Sequence, residues 1–261
     1  MENNVFDISD FIPKYPYIPE NVYLSAYPNE NFNNAIYHKK EFDDEKLDVY
    51  ESKPSQKGDL MKHQKIISRF LSSHTTYDGL LLYHYMGTGK SCSAIGAMEQ
   101  IKNENSSISN AIVLARGDNI LNNIINEMVY TCTDGRYIPE NLNKLPIDTQ
   151  KSRIKKMLRD FYSFETFYRF ASAIKRYSDD YIIKHFSNTI IVIDEVHNLR
   201  KKTIKKHEKD VYYQIHRFLH LIKNKKVLLL SGTPMKDRPE EIASVLNLIL
   251  PLDKQLPFES S

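Results

Sequence analysis

The sequence predicts an α/β domain, a parallel sheet with helices on both faces, preceded by an irregular N-terminal arm. Three observations carry this. Strand-like and helix-like segments alternate from about Lys57 onward. Two strands, "TIIVIDE" and "KKVLLLSGT", are apolar on both faces, as strands in the middle of a helix-covered parallel sheet are. The ends of the strands carry the polar chemistry, where ligands bind in open α/β sheets.

Taken in order, residues 1–57 form the arm. Pro13, Pro16, Pro19, Pro28 and Pro54 punctuate a Tyr- and Asn-rich stretch. Proline at this density prevents long helices. The expectation is an extended arm packed across the main domain, with one short helix at most; disorder is the competing reading. Residues 58–261 are expected to form the main domain. "LMKHQKIISRFLSS" places Leu60, Ile66, Ile67, Phe70 and Leu71 at helical spacing. "GLLLYH" is a short strand and "SCSAIGAMEQIKN" a helix. "NAIVLA" is a strand, and "DNILNNIINEMVY" a helix with Asp118 as its expected N-cap. Between about 130 and 185, helical pieces such as "DTQKSRIKKMLRDF" and "FETFYRFASAIKRY" dominate. The two buried strands follow.

Bulk properties narrow the class. At 261 residues with 41% hydrophobic content, the chain is long enough for a core. A formal charge of +3 permits a nucleic-acid partner without requiring one. The N-terminus lacks the basic and apolar regions of a secretory signal, and no apolar run has the length of a membrane span. A soluble intracellular protein without a membrane partner is expected. Cys92 and Cys132 are too few for a disulfide framework or a zinc site, so they are expected to be reduced core thiols.

"LLLYHYMGTGKSCSAIG" has the parts of a phosphate loop. Such a loop needs backbone N–H groups lining one concavity, a helix N-terminus beneath it and a cation. Gly87 and Gly89 supply the tight turn, Lys90 reaches the β and γ phosphates, and Ser91 offers a hydroxyl to Mg²⁺. Thr88 and Cys92 complete the expected cradle. The usual pattern opens with glycine, where this chain has His84. "NTIIVIDEVHNLR" supplies the complement: an apolar strand running into Asp194 and Glu195. Asp194 can hold Mg²⁺ through water, and Glu195 can polarise an attacking water.

D-E-x-H resembles motif II of superfamily 2 helicases and translocases, which implies that His197 joins the ATP site to the motif III strand. An imidazole can do so because it both donates and accepts. Ser231, Gly232 and Thr233 resemble motif III, whose strand in the superfamily lies between those of motifs I and II. Gln64, in "LMKHQ", resembles the glutamine of Snf2-like members and implies an amide paired with adenine. The superfamily loop reads A-x-x-G-x-G-K-[ST], so it requires no first glycine. Arg116, in "VLARGDN", follows its strand as motif Ia does and is the candidate phosphate contact. Thr166, in "SFETF", resembles the motif Ib position. The basic run "LRKKTIKKHEKD" is read as a solvated loop.

From about Lys39 to Pro251 the chain resembles the superfamily 2 ATPases of large nucleocytoplasmic DNA viruses. That group includes the poxvirus early transcription factor small subunit and nucleoside triphosphate phosphohydrolase I. "LLYHYMGTGKSCSAI", "NEMVYTCTDGRYIPE", "FYSFETFYRFA", "DEVHNLR" and "LLLSGTPMKDRPEEI" carry the resemblance. It implies a first RecA-like domain over 58–261 that binds ATP and Mg²⁺, with Lys90, Asp194, Glu195 and His197 as the catalytic set. It also implies a DNA or RNA backbone as partner, a viral RNA polymerase or transcription factor subunit alongside, and a virion or host-cytoplasm setting. The second RecA-like domain, with its arginine finger, is not found in these residues. Two rivals stand beside the helicase reading: a phosphate-loop ATPase that remodels proteins, and an ATP-binding adaptor of a transcription complex.

Overall fold

The computed structural model describes residues 30–45, 58–84, 89–104, 106–139, 146–199, 206–233 and 240–257. The chain divides into two units, Met1–Tyr50 and Glu51–Ser261. In the first, the described residues form two short helices, α1 (Glu30–Tyr37) and α2 (Lys40–Asp43). The sequence suggested one at most. The prolines explain the difference: none falls between Pro28 and Pro54, so this stretch keeps every backbone donor a helix needs.

The second unit opens with α3 (Lys62–Phe70), β1 (Gly79–Tyr83), α4 (Lys90–Asn103) and β2 (Asn110–Ala115). Then come α5 (Asp118–Glu127), α6 (Ile147–Arg159), β3 (Tyr162–Thr166), α7 (Phe167–Ile174) and α8 (Asp179–Phe186). It closes with β4 (Thr189–Ile193), α9 (Lys206–Leu221), β5 (Lys225–Ser231) and α10 (Glu240–Leu246). The strands form one sheet in the order β1-β5-β4-β2-β3, and every pair is parallel. This is the expected RecA-like arrangement, with β5 between β1 and β4.

The apolar strands are explained by the two cores. Along β4, Ile190 and Val192 face one cluster, while Ile191 and Ile193 face the other. Along β5, Leu228 and Leu230 alternate with Val227 and Leu229 in the same way. The first cluster takes Ile95, Met98 and Ile101 from α4, with Leu121 from α5 and Ile154 from α6. The second takes Phe170 from α7, Ile182 from α8, and Ile215 and Phe218 from α9. With successive side chains pointing to opposite faces, a strand covered on both sides has no polar face to show.

Four local expectations change. β3 falls where helix was expected. Its "YSFET" has no β-branched run, and Ser163 and Glu165 interrupt it because β3 pairs only with β2 at the sheet edge. Gly117, not Asp118, is the N-cap of α5; Asp118 is its first helical residue and binds Arg169 instead. The end of the basic run is helical from Lys206. Finally, Cys92 and Cys132 are not reduced thiols but a disulfide, with Cα atoms 5.3 Å apart. Cys92 lies in the first turn of α4, and Cys132 ends the wide π-type turn Met128–Cys132 that follows α5. Packing of that turn on α4 brings together two thiols 40 residues apart in sequence.

Candidate nucleotide and nucleic-acid site

The candidate residues lie along the carboxyl ends of the strands. Since β5 stands between β1 and β4, the ends bearing His84, Ser231 and Asp194 are neighbours. β2 and β3 extend the row to Arg116 and Thr166. Gly87 and Thr88 lie outside the described residues.

Gly89 is the N-cap of α4 with φ +76°, a left-handed conformation that suits glycine. A Cβ there would also meet Gln64 Nε2 at 2.5 Å. Gln64 is almost fully buried and its amide is used within the chain: Nε2 donates to the Gly89 carbonyl at 3.0 Å, and Oε1 accepts from Met61 N–H at 2.9 Å. The glutamine thus braces the end of the phosphate loop. Ser91 follows in the first turn of α4, half-buried. Cys92, beside it, is tied to Cys132, so its sulfur is not a free cradle group.

Lys90 Nζ is 3.6 Å from Glu195 Oε1, so the loop lysine and the strand-end carboxylate meet. The Asp194 N–H donates to Leu114 O at 2.8 Å, extending the β4–β2 ladder by one residue. Its Oδ1 accepts the Glu195 N–H at 2.9 Å. Burial pushes the Asp194 carboxyl up to about 6, and the adjacent Glu195 charge adds to this; the Glu195 N–H and Lys90 pull the other way. Glu195 has φ +49°, uncommon for a residue with a side chain, and held strain of this kind gathers at functional sites.

His197 joins the parts. Its Nδ1 is 3.1 Å from Glu195 Oε2 and 3.0 Å from Ser231 Oγ. Ser231 Oγ also accepts the Thr233 N–H at 3.1 Å, and Gly232 lies between them. Contacts therefore run from Lys90 through Glu195 and His197 to the end of β5. A branch leads the other way: Asn198 Nδ2 donates to Glu195 O at 3.0 Å, and Arg116 Nη1 donates to Asn198 Oδ1 at 3.2 Å. Sequence reading passed over Asn198, although its place three residues after Glu195 in a tight turn is a usable signal.

The two nucleic-acid candidates differ. Arg116 is exposed at the rim. Thr166 is buried, and its hydroxyl accepts the Arg169 N–H at 3.3 Å as the N-cap of α7. Arg169 itself clasps Asp118 and Glu165. Among the described residues, no group of three or more His, Cys, Asp and Glu could hold a metal by itself. No described helix is long and apolar enough to cross a membrane.

The family described as "Type III restriction enzyme, res subunit" matches residues 57–236. The chain is 38% identical over 254 residues to "Putative helicase 087L" of Invertebrate iridescent virus 3, covering 94% of this chain and 25% of that protein. It is 35% identical over 253 residues to "Putative helicase 009L" of Frog virus 3, covering 95% and 25%. With "Putative ATP-dependent RNA helicase R563" of Acanthamoeba polyphaga mimivirus it shares 30% over 236 residues, covering 83% and 39%. The chain thus spans about a quarter of the length of the first two relatives.

Proposed function

The chain belongs to the Type III restriction enzyme res-subunit family, and on that premise we propose that it is the ATP-binding domain of a superfamily 2 nucleic-acid helicase or translocase serving viral transcription. The observation that carries this is the line of contacts from Lys90 through Glu195 and His197 to Ser231. A phosphate loop that only bound nucleotide would not need its carboxylate joined to a neighbouring strand end.

In this reading ATP takes Lys90 for its phosphates and so loosens the Lys90–Glu195 contact. Glu195 is then free to orient and deprotonate the attacking water. Ser91 and Asp194 would hold Mg²⁺ together with phosphate oxygens. The Asp194 carboxyl fits a cation, because its ionised form is disfavoured by burial and by Glu195. Bound Mg²⁺ would neutralise part of the phosphate charge. His197 reports the state of Glu195 to β5, and Asn198 reports it to Arg116 at the nucleic-acid rim. Arg116 grips the DNA or RNA backbone without reading bases. A second RecA-like domain in the longer protein supplies an arginine finger, worth about 10³–10⁵ in rate.

Calorimetry with MgATP tests the site. Lys90→Ala should weaken binding by about tenfold or more, since a charged hydrogen-bond partner of the phosphates is lost. Equal affinities for variant and wild type would refute the assignment. The chain alone should turn ATP over slowly. Rapid, nucleic-acid-stimulated hydrolysis by these 261 residues, abolished by Glu195→Gln, would show that no second domain is needed.

A further inference from the structure

Among the described residues of this unit, three buried side-chain nitrogens have no hydrogen-bond partner: His63 Nε2, His84 Nδ1 and Lys90 Nζ. A buried polar group left unsatisfied is destabilising, because it has given up its water and gained no partner. Three such atoms, on residues that open α3, follow β1 and open α4, call for a ligand. Phosphate accounts for Lys90 and leaves both imidazoles unexplained.

The rings come from different elements. His63 stands in the first turn of α3, directly before the Gln64 that holds the Gly89 carbonyl. His84 stands one residue beyond β1, with its backbone N–H donating to Ser231 O at 3.3 Å. The rings meet edge to face with centroids 5.8 Å apart. Burial lowers the His84 pKa, and His63 and then Lys90 lower it further, so this imidazole is neutral at pH 7. A neutral imidazole carries one N–H, and in the tautomer protonated at Nδ1 His84 can donate to an anion.

We propose that His63 and His84 form a hydrogen-bonding subsite for the polyphosphate chain of the bound nucleotide, acting beside Lys90. The subsite rests on the nucleotide-binding reading above and deepens it. Polyphosphate fits better than the base for two reasons. The set includes the Lys90 ammonium, which the Glu195 carboxylate approaches only to 3.6 Å, outside hydrogen-bond reach, so an anion rather than a neutral ring completes it. The pair also adjoins the end of the loop that cradles phosphate: Gln64, next to His63 in sequence, holds the Gly89 carbonyl, and His84 feels the Lys90 charge.

The test uses inorganic tripolyphosphate, MgATP and adenosine as probes of the 261-residue chain. His63→Leu and His84→Leu remove the nitrogens. His63→Gln and His84→Asn keep a polar nitrogen near the Nε2 and Nδ1 positions. Each Leu variant should bind tripolyphosphate and MgATP about tenfold more weakly, while Gln and Asn stay within about threefold of wild type. In wild-type chain labelled with ¹⁵N-histidine, the His63 Nε2 and His84 Nδ1 resonances should move on adding tripolyphosphate and stay put with adenosine. That measurement needs no variant to fold. If wild type binds tripolyphosphate but the Leu variants match it and the resonances do not move, the pair holds only structural water and this inference falls alone. If adenosine moves the resonances and tripolyphosphate does not, the subsite belongs to the base. If wild type binds neither MgATP nor tripolyphosphate, the nucleotide-binding reading falls with it.

Discussion

Replacing Asp194 by Asn should stabilise the free chain while removing its use of Mg²⁺. The Asp194 carboxyl titrates at about 6 against an ordinary 3.8, chiefly through burial and then through Glu195. Ionising it in the folded state therefore costs about 3 kcal/mol, at about 1.4 kcal/mol for each tenfold change in proton affinity. The sign follows from linkage. The folded pKa lies above the unfolded one, so the protonated group's favourable contribution is fully present below pH 3.8 and is lost as pH rises through 6. Asparagine keeps an oxygen to accept the Glu195 N–H and carries no charge at any pH. Its variant should thus be more stable than wild type by about 3 kcal/mol at pH 7.5, and the difference should shrink toward zero near pH 4. Urea unfolding between pH 4 and 8, without metal or nucleotide, measures this directly. Wild type should gain more from Mg²⁺ and nucleotide than the variant does. An Asn variant less stable than wild type at pH 7.5, or one whose advantage is the same at pH 4, would refute the charge-burial explanation.

Two further outcomes are expected. Arg116→Ala should weaken single-stranded and duplex binding alike and lower the salt slope by about one, with nucleotide affinity unchanged; a salt titration that leaves DNA and RNA affinity unaltered would take Arg116 off the interface. The Cys92–Cys132 bridge closes 40 residues, so reduction or Cys132→Ala should cost about 4 kcal/mol of stability by the chain-entropy relation. Urea midpoints that coincide with and without reductant would count against the bridge.

The order of the chemistry was legible before the fold. Lys90, Asp194 and Ser231 each follow an apolar strand, and an apolar strand entering a polar turn is a local signal. The same signal failed for β3, because an edge strand with Ser163 and Glu165 lacks the doubly covered pattern. It also failed at the ends of α5 and in the arm, where a single residue or the spacing of prolines decides the boundary.

What the sequence determined by itself was the alternation of elements and the residue types at their ends, since both depend on chain neighbours. The tertiary structure decided the partner of each side chain. Gln64 braces Gly89, Thr166 caps α7, Cys92 joins Cys132, and His63 meets His84. Asn198 links Glu195 to Arg116 only because β2 and β4 are neighbours. Such pairings arise when burial of two apolar faces stacks distant elements. A hydrogen-bonding atom then takes whatever partner the packing brings within about 3 Å, and nothing local in the chain encodes which one that is.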